Sequence, residues 1–154
     1  MKILFVCTGN TCRSPMAEGI FRKLLADFGR EGIEVSSAGL FASPGEPASD
    51  YAVDAASNLG ADISGHRASR LDAAMLDGAD RIICMTDGQA ATLTMCVDKE
   101  KLSVLGGGIP DPFGGSAEDY MICASKIKRA LTELLNSPEF SEPGSGGNNE
   151  NSRN

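Results

Sequence analysis

The sequence predicts a single α/β domain, in which a four-stranded parallel sheet carries helices on both faces. Two observations lead to this fold class. Short apolar runs alternate along the chain with segments of helical period, and 154 residues suit one domain with a full core. We place the domain at residues 1–136. Residues 137–154 are poor in apolar side chains, and we expect them to form a disordered tail.

The predicted strands are short apolar runs bounded by turn residues, as is typical of buried parallel strands. They span residues 2–6, 33–38, 81–85 and 102–105. Ligands of such sheets bind beyond the carboxyl ends of the strands. The loops after Val6 and Leu105 both lie at that edge, and we expect the functional site there.

The predicted helices begin at residues that favour a helix start and continue with apolar side chains at helical spacing. These starts are Ser14 followed by Pro15, Ser49, Asp87, and the capping-box-like stretch from Ser116 to Asp119. The first helix should stop at Gly29 and the second near Leu59, which Gly60 follows.

Composition and charge exclude several classes of function. A formal net charge of −7 is unlike that of a nucleic-acid binder. The apolar run at residues 1–6 is too short for a signal peptide or a membrane span. We therefore expect a cytoplasmic protein that contacts neither membrane nor nucleic acid, and we expect a monomer. Five irregularly spaced cysteines, one histidine and no Cys-x-x-Cys pair argue against both a disulfide framework and a metal site.

Residues 7–14, Cys-Thr-Gly-Asn-Thr-Cys-Arg-Ser, connect the first strand to the first helix. A loop of this length that ends at a helix N-terminus can turn several backbone N–H groups toward a phosphate. Gly9 permits a backbone conformation that a side chain would resist, and Arg13 can bind two phosphate oxygens with its fork. The same positive potential favours the reactive thiolate of Cys7. The alternative is a structural cysteine before a glycine turn, because a lone Cys-x5-Arg often arises by chance.

Several side chains of this loop have predicted supporting roles. Ser14 can donate a hydrogen bond to the Cys7 thiolate, and Asn10 can hold the loop through side-chain to backbone bonds. A reversible disulfide between Cys7 and Cys12 is a hypothesis for protection against overoxidation. Recovery of Cys12→Ser from peroxide as complete as that of the wild type would count against it. The predicted contacts to the phosphorylated group come from Thr8, Gly9, Asn10, Thr11, Cys12 and Ser14.

The stretch from Val6 to Glu18 resembles the signature of the low-molecular-weight protein phosphatases. The resemblance continues through residues 37–39, the stretch around His66, and residues 111–115, Asp-Pro-Phe-Gly-Gly. It implies the phosphotyrosine phosphatase I-like fold over most of the chain, a phosphorylated protein as substrate, and no cofactor. It also implies that His66 supports the loop by a hydrogen bond to Asn10.

The resemblance assigns the general acid to Asp111, whereas its sequence context alone fits an ordinary Asp-Pro turn equally well. In the implied mechanism, Cys7 takes the phosphoryl group while Asp111 protonates the leaving atom. Asp111 then acts as base for the water that hydrolyses the phosphocysteine. Arg13 and the loop N–H groups stabilise the phosphoryl charge, so that no metal is needed.

Two residues bear on the substrate. Phe113 should line the mouth of the site, although an apolar loop residue can also fold into the core. Thr11 stands where tyrosine phosphatases of the family generally carry a bulky aliphatic residue. In this it resembles the bacterial protein-arginine phosphatases, which share Gly-Asn-Thr-Cys-Arg-Ser and Asp-Pro-Phe-Gly-Gly-Ser. This favours phosphoarginine over phosphotyrosine as the substrate. The alternative is that Thr11 is a neutral variant with no effect on the choice of substrate.

Two other functions compete with phosphatase activity. Thioredoxin-linked arsenate reductases share the loop but need further cysteines close together near mid-chain. Here Cys84 lies in a predicted buried strand and Cys96 twelve residues later. A phosphate-binding module without turnover is the second, but a pure binder needs neither the Cys7 thiolate nor an acid at Asp111. We rank both below a phosphatase.

Overall fold

The computed structural model describes residues 1–140, which form the predicted four-stranded parallel sheet. Neighbouring strands pair in parallel in the spatial order β2-β1-β3-β4. Each predicted strand is confirmed to within one residue at either end. The strands are β1 (Lys2–Cys7), β2 (Glu34–Gly39), β3 (Arg81–Cys84) and β4 (Leu102–Val104).

Helices cover both faces of the sheet, as predicted. They are α1 (Arg13–Asp27), α2 (Asp50–Asn58), α3 (Ala73–Gly78), α4 (Asp87–Leu93) and α5 (Ala117–Leu135). Helices α1, α2 and α5 pack on one face, and α3 and α4 on the other. Short 3-10 turns lie at Lys99–Lys101, Leu105–Gly107 and Pro138–Phe140. Within residues 1–140, no helix combines the length and apolar character needed to cross a bilayer.

The alternating side chains of β1 divide the core into two clusters. Ile3, Phe5 and Cys7 face the larger cluster with α1, α2 and α5. Leu4 and Val6 face the smaller cluster on the other side of the sheet. Because successive side chains of a strand point to opposite faces, every residue of β1 after Lys2 is buried. The strand that leads into the phosphate loop is therefore the rigid centre of the sheet.

The predicted helix starts at Ser49 and Ser116 are confirmed, and α1 begins at Arg13, one residue before the predicted start at Ser14. Ser49 accepts a hydrogen bond from the amide of Ala52 at 3.3 Å, and Ser116 forms the predicted capping box with Asp119. Helix α1 ends at Asp27, and Gly29 follows in the left-handed conformation.

Asp87 is not the cap of α4, and that prediction was wrong. Thr86 caps this helix and forms a reciprocal capping box with Gln89. Asp87 is the first helical residue, where its carboxylate faces the positive end of the helix. The short helix α3, which was not predicted, is capped by Asp72, whose side chain accepts from the amide of Met75 at 2.8 Å.

Packing on the core continues past residue 136, where we placed the end of the domain, to Phe140. Phe140 is only 4% exposed and packs edge-on against Phe21, with ring centroids 6.1 Å apart. Glu139 forms an ion pair with Arg81 at 2.6 Å. The single aromatic side chain in an otherwise polar segment thus joins the core. Residues 141–154, for which we predicted disorder, lie outside the described residues.

Candidate active site

The loop at residues 8–12 leaves β1 where the direction of the sheet reverses. From β1 the chain proceeds to β2 on one side, and later to β3 on the other side. Helices that follow diverging strands leave a crevice at such a point, beyond the carboxyl ends of the strands. Cys7 is the last residue of β1, and Arg13 is the first residue of α1. The sheet therefore places the loop at the position where this class of fold binds ligands.

Two donors point at the sulfur of Cys7. Its Sγ lies 2.8 Å from Ser14 Oγ and accepts a hydrogen bond from the amide of Asn10 at 3.3 Å. Ser14 Oγ itself accepts from Asn10 Nδ2 at 2.8 Å, which leaves its own proton free to point at the sulfur. This arrangement suits a sulfur anion, which only accepts hydrogen bonds.

The N-terminus of α1 is open toward the loop. Its N-cap residue, Cys12, makes no side-chain capping bond, and the first turn carries no acidic residue. The first N–H groups of a helix have no partner within the helix, and the helix dipole adds positive potential there. Together these features favour an anion at the N-terminus of α1.

Asn10 holds the loop in shape from within. It is fully buried and adopts a left-handed backbone conformation with φ 57°, which is uncommon outside glycine. Its Nδ2 donates to Ser14 and, at 3.0 Å, to Ser37 Oγ, while its Oδ1 accepts from the amide of Ser69 at 2.8 Å. His66 Nε2 lies 2.8 Å from the Asn10 carbonyl, and because a carbonyl only accepts, this nitrogen carries the proton.

Gly39, at the end of β2, lets that strand approach the loop. A Cβ atom at this position would lie 2.7 Å from the carbonyl oxygen of Thr8 and 2.9 Å from the amide nitrogen of Asn10. Both are backbone atoms that cannot rotate away. Two residues earlier, Ser37 donates to Glu18 Oε1 at 2.7 Å and accepts from Asn10, so it links α1 to the loop. These contacts explain why a serine and a glycine occur at the end of this strand.

Arg13 joins the phosphate loop to the loop that carries Asp111. The buried guanidinium donates from Nη1 to the carbonyl of Ile109 at 2.9 Å, and its Nη2 lies 3.6 Å from Asp111 Oδ2. Asp111 Oδ1 accepts from the amide of Phe113 at 3.0 Å, and the carboxylate is half exposed. The predicted acid therefore reaches the site from a segment about a hundred residues along the chain.

The two loops enclose a cavity of about 210 Å³, lined by residues 7–13 together with Asp111 and Phe113. Phe113 is 80% exposed and lies at the rim instead of folding into the core. A second aromatic residue, Phe41, is 71% exposed, and its amide donates to the carbonyl of Thr8 at 2.9 Å. Sequence reasoning missed Phe41, although it follows a strand that ends at the same edge of the sheet.

Gln89 is a further residue that sequence reasoning missed. Its buried side chain donates to Thr8 Oγ1 at 3.2 Å and accepts from the amides of Met85 and Thr86 at 2.9 and 3.0 Å. It therefore couples the end of β3 to the start of the phosphate loop. The spacing Thr86-x-x-Gln89 is a capping-box signal that could have revealed it.

Cys12 lies behind the loop against α5. Its Sγ is 3.5 Å from the hydroxyl oxygen of Tyr120 and 3.6 Å from Ser49 Oγ. Burial, and next the contact with Cys12, raise the pKa of Tyr120 to about 12, so this hydroxyl stays protonated and can donate to the sulfur. Cys7 and Cys12 are both free thiols.

Two of the remaining cysteines, Cys84 and Cys96, do not line the cavity at the phosphate loop. Cys84 is buried with Leu4 and Val6 in the smaller core cluster, on the face of the sheet opposite Cys7. Burial, and next the charge of Cys7, raise the pKa of Cys84 to about 12. Cys96 lies exposed in the turn after α4. Within the described part of the chain, no group of three or more His, Cys, Asp or Glu side chains is placed to hold a metal ion.

Similar known proteins identify the family of this chain. The family profile described as low molecular weight phosphotyrosine protein phosphatase matches residues 2–141. A protein-arginine-phosphatase of Bacillus subtilis is 35% identical over 87% of this chain and 94% of its own length. Arsenate reductase 2 of Staphylococcus haemolyticus is 33% identical over 84% of this chain and 92% of its own length. The crystal structure of a low molecular weight protein tyrosine phosphatase from T. tengcongensis superposes with a TM-score of 0.81 at 39% identity, covering 88% of this chain and 97% of that one. The chain therefore belongs to the low molecular weight phosphotyrosine protein phosphatase family.

Proposed function

We propose that this protein is a cysteine-dependent protein phosphatase that prefers phosphoarginine and works through a phosphocysteine intermediate. The observation that carries the proposal is the contact of 3.6 Å between Arg13 and Asp111. It brings the loop of the nucleophile and the loop of the acid to the same small cavity. A nucleophile, an anion cradle and a proton donor are the three parts that metal-free phosphoryl transfer requires.

The reaction has two displacements. Cys7 Sγ attacks phosphorus and forms an S–P bond as the bond between phosphorus and the leaving atom breaks, and Asp111 gives that atom a proton. Water then attacks the phosphocysteine, the Asp111 carboxylate takes a proton from the water, and the S–P bond breaks. Inorganic phosphate leaves and the thiolate is restored. Arg13, already oriented by the Ile109 carbonyl, and the N-terminus of α1 bind the phosphoryl oxygens throughout.

Three features support phosphoarginine as the substrate. Thr11 lines the cavity with a small side chain and a hydroxyl. Asp111 already contacts one guanidinium, that of Arg13. When protonated, Asp111 can accept a hydrogen bond from the substrate guanidinium with one carboxyl oxygen and give the proton on its other oxygen to the leaving nitrogen. The exposed ring of Phe113 can stack on a planar guanidinium as well as on a phenol. The similarity to a bacterial protein-arginine-phosphatase agrees with this choice.

Arsenate reduction is less well supported, despite one similar arsenate reductase. The relay of thioredoxin-linked reductases needs further cysteines near mid-chain, beyond those of the loop itself, that can reach Cys7 and ionise. Cys84 packs on the opposite face of the sheet, and burial keeps it protonated. Cys96 lies in an exposed turn beyond α4. Neither cysteine is placed for the relay.

The proposal is tested by metal-free hydrolysis of matched phosphoarginine and phosphotyrosine peptides. We expect the wild type to favour the phosphoarginine peptide, and Cys7→Ala to hydrolyse neither. Asp111→Asn should lose about 10²–10⁴-fold in kcat, the usual contribution of a general acid. Thr11→Val keeps the shape of threonine without its hydroxyl, whereas Thr11→Ile adds bulk, so the pair separates the polar from the steric part of the preference.

Four outcomes would contradict parts of the proposal. A tyrosine preference in the wild type would retain the mechanism and overturn the assignment to phosphoarginine. Full activity in Cys7→Ala would overturn the mechanism itself. A folded wild type that binds both peptides and hydrolyses neither would favour a phosphate-binding module, and arsenate turnover that depends on Cys84 or Cys96 would favour a reductase.

A further inference from the structure

A second cavity, of about 260 Å³, adjoins the phosphate cavity. It lies between α5 and the loop at residues 110–115. Asp111 and Phe113 line both cavities, so they stand where the two meet. A polypeptide whose phosphorylated side chain occupies the first cavity can therefore extend toward the second. We call the second cavity the flanking pocket.

The wall and floor of the flanking pocket are largely apolar. Pro110, Pro112 and Ile122 line it, and Ile122 is an apolar side chain that is 48% exposed on α5. Cys123 is buried at its base and donates to the carbonyl of Pro110 at 3.9 Å. Burial raises the pKa of Cys123 to about 11, so the base of the pocket carries no charge at neutral pH.

Three charged residues line the flanking pocket, and two of them already have partners. Asp111 pairs with Arg13 and accepts from the amide of Phe113. Asp119 belongs to the capping box of α5, where its Oδ2 accepts from the amide of Ser116 at 2.9 Å. Lys126 is exposed and makes neither an ion pair nor a side-chain hydrogen bond with any residue in the range 1–140. In a chain of net charge −7, Lys126 therefore presents a local cation beside an apolar cavity.

We propose that the flanking pocket binds an apolar side chain of the substrate polypeptide close to the phosphorylated residue, and that Lys126 pairs with an acidic residue beside it. The proposal rests on the proposed phosphatase function and adds a determinant of substrate sequence. A cavity of about 150 Å³ accommodates benzene, so the flanking pocket has room for a leucine or phenylalanine side chain. Because Asp111 and Phe113 line both cavities and an extended chain advances only about 3.3 Å per residue, a residue close to the phosphorylated one can reach the flanking pocket.

The experiment uses phosphopeptides of serine and glycine in which one leucine is moved through the three positions on either side of the phosphorylated residue. The readout is kcat/KM for each peptide divided by kcat/KM for para-nitrophenyl phosphate, which does not extend into the flanking pocket. We expect one leucine position to raise this ratio about tenfold, a usual effect of filling an apolar pocket. A glutamate beside that leucine should raise it further.

Matched variants identify the surface that is responsible. Ile122→Glu should abolish the gain from leucine, whereas Met95→Glu, which places the same charge on a residue 94% exposed outside the pocket, should keep it. Lys126→Glu should abolish the gain from glutamate, whereas Lys128→Glu, an exposed position on the same helix, should keep it. Each variant of a pair changes the net charge equally, so general electrostatics cannot explain a difference.

Equal kcat/KM at every leucine position, or a preference that survives in Ile122→Glu, would overturn the proposal. Its failure can be distinguished from failure of the phosphatase function. Fluorescence anisotropy of the same labelled peptides with Cys7→Ala measures docking without chemistry. If the wild type hydrolyses no phosphorylated substrate, the phosphatase function is wrong. In that case, leucine-dependent binding to Cys7→Ala would still support the flanking pocket as a binding site, and its absence would overturn that proposal too.

Discussion

Asn10 is the residue on which the shape of the phosphate loop depends most directly. Its side chain makes three hydrogen bonds, to Ser14, Ser37 and the amide of Ser69. At about 1 kcal/mol of net stability for each bond, their loss costs about 3 kcal/mol. Alanine is also disfavoured in the left-handed conformation of this residue by about 1–2 kcal/mol. Asn10→Ala should therefore lower the free energy of unfolding by about 4–5 kcal/mol.

Asn10→Gly separates the two contributions. Glycine loses the same three bonds but adopts a φ of 57° without steric cost. Its larger chain entropy in the unfolded state offsets part of that advantage, by about 0.4–1 kcal/mol. We expect Asn10→Gly to be at least as stable as Asn10→Ala. Both variants should also lose about 10²-fold in kcat/KM, as is usual when a catalytic group is displaced by about 1 Å.

Urea unfolding followed by far-ultraviolet circular dichroism measures the stabilities, because the chain has no tryptophan. Asn136→Ala, at an exposed asparagine after α5, is the matched control and should change stability by less than about 0.5 kcal/mol. A loss below about 1 kcal/mol in Asn10→Ala would refute the hydrogen-bond reasoning. A glycine variant clearly less stable than the alanine variant would refute the reasoning from backbone strain.

Three further predictions concern other parts of the fold. Gly39→Ala forces a Cβ atom against the backbone of Thr8. We therefore expect the free energy of unfolding, measured in urea, to fall by about 1–3 kcal/mol and kcat/KM to fall as well. An unchanged kcat/KM would contradict the close approach of the strand to the loop. Phe140→Ala should lower stability by about 3–5 kcal/mol, measured by thermal unfolding. We expect kcat/KM to be retained, because the ring packs on Phe21 and neither residue lines the cavity at the phosphate loop. Burial raises the pKa of Cys84 to about 12 from an ordinary value of 9.0, so the folded state keeps a proton that the unfolded state loses, and stability falls as the pH rises from about 9 to 12. Cys84→Ala should reduce the slope of stability against pH by up to about 1.4 kcal/mol per pH unit, measured by urea unfolding between pH 8 and 11. An unchanged slope would contradict the raised pKa of Cys84.

The strands were predictable because the sheet is buried on both faces. A buried parallel strand is apolar along most of its length, and turn residues mark its ends. The long helices α1 and α5 were predictable for a similar reason, since each buries one face and carries a recognisable start or stop. Helix α3 has six residues and one buried side chain, Leu76, which is too little for a periodic pattern.

The candidate site also contains one part that the sequence predicts and another part that it does not. Residues 7–14 are contiguous, so the loop, its nucleophile and Arg13 could be read from one stretch of sequence. Partners that reach the loop from distant segments could not be, because only the folded sheet brings them together. Ser69 and Gln89 contact the loop across 59 and 81 residues of chain. Phe140 shows the same limit, since no local pattern indicates that an isolated aromatic in a polar segment is buried.

Detection of the phosphocysteine tests the central claim most directly. Para-nitrophenol leaves without the help of an acid, so Asp111→Asn should still form the intermediate from para-nitrophenyl phosphate but should hydrolyse it slowly. Rapid-quench kinetics should then give a burst of para-nitrophenol equivalent to the enzyme, and mass spectrometry of the quenched protein should find phosphate on Cys7. Cys7→Ala in the same background should give neither. Turnover without a burst or label, or a label on another residue, would contradict the account.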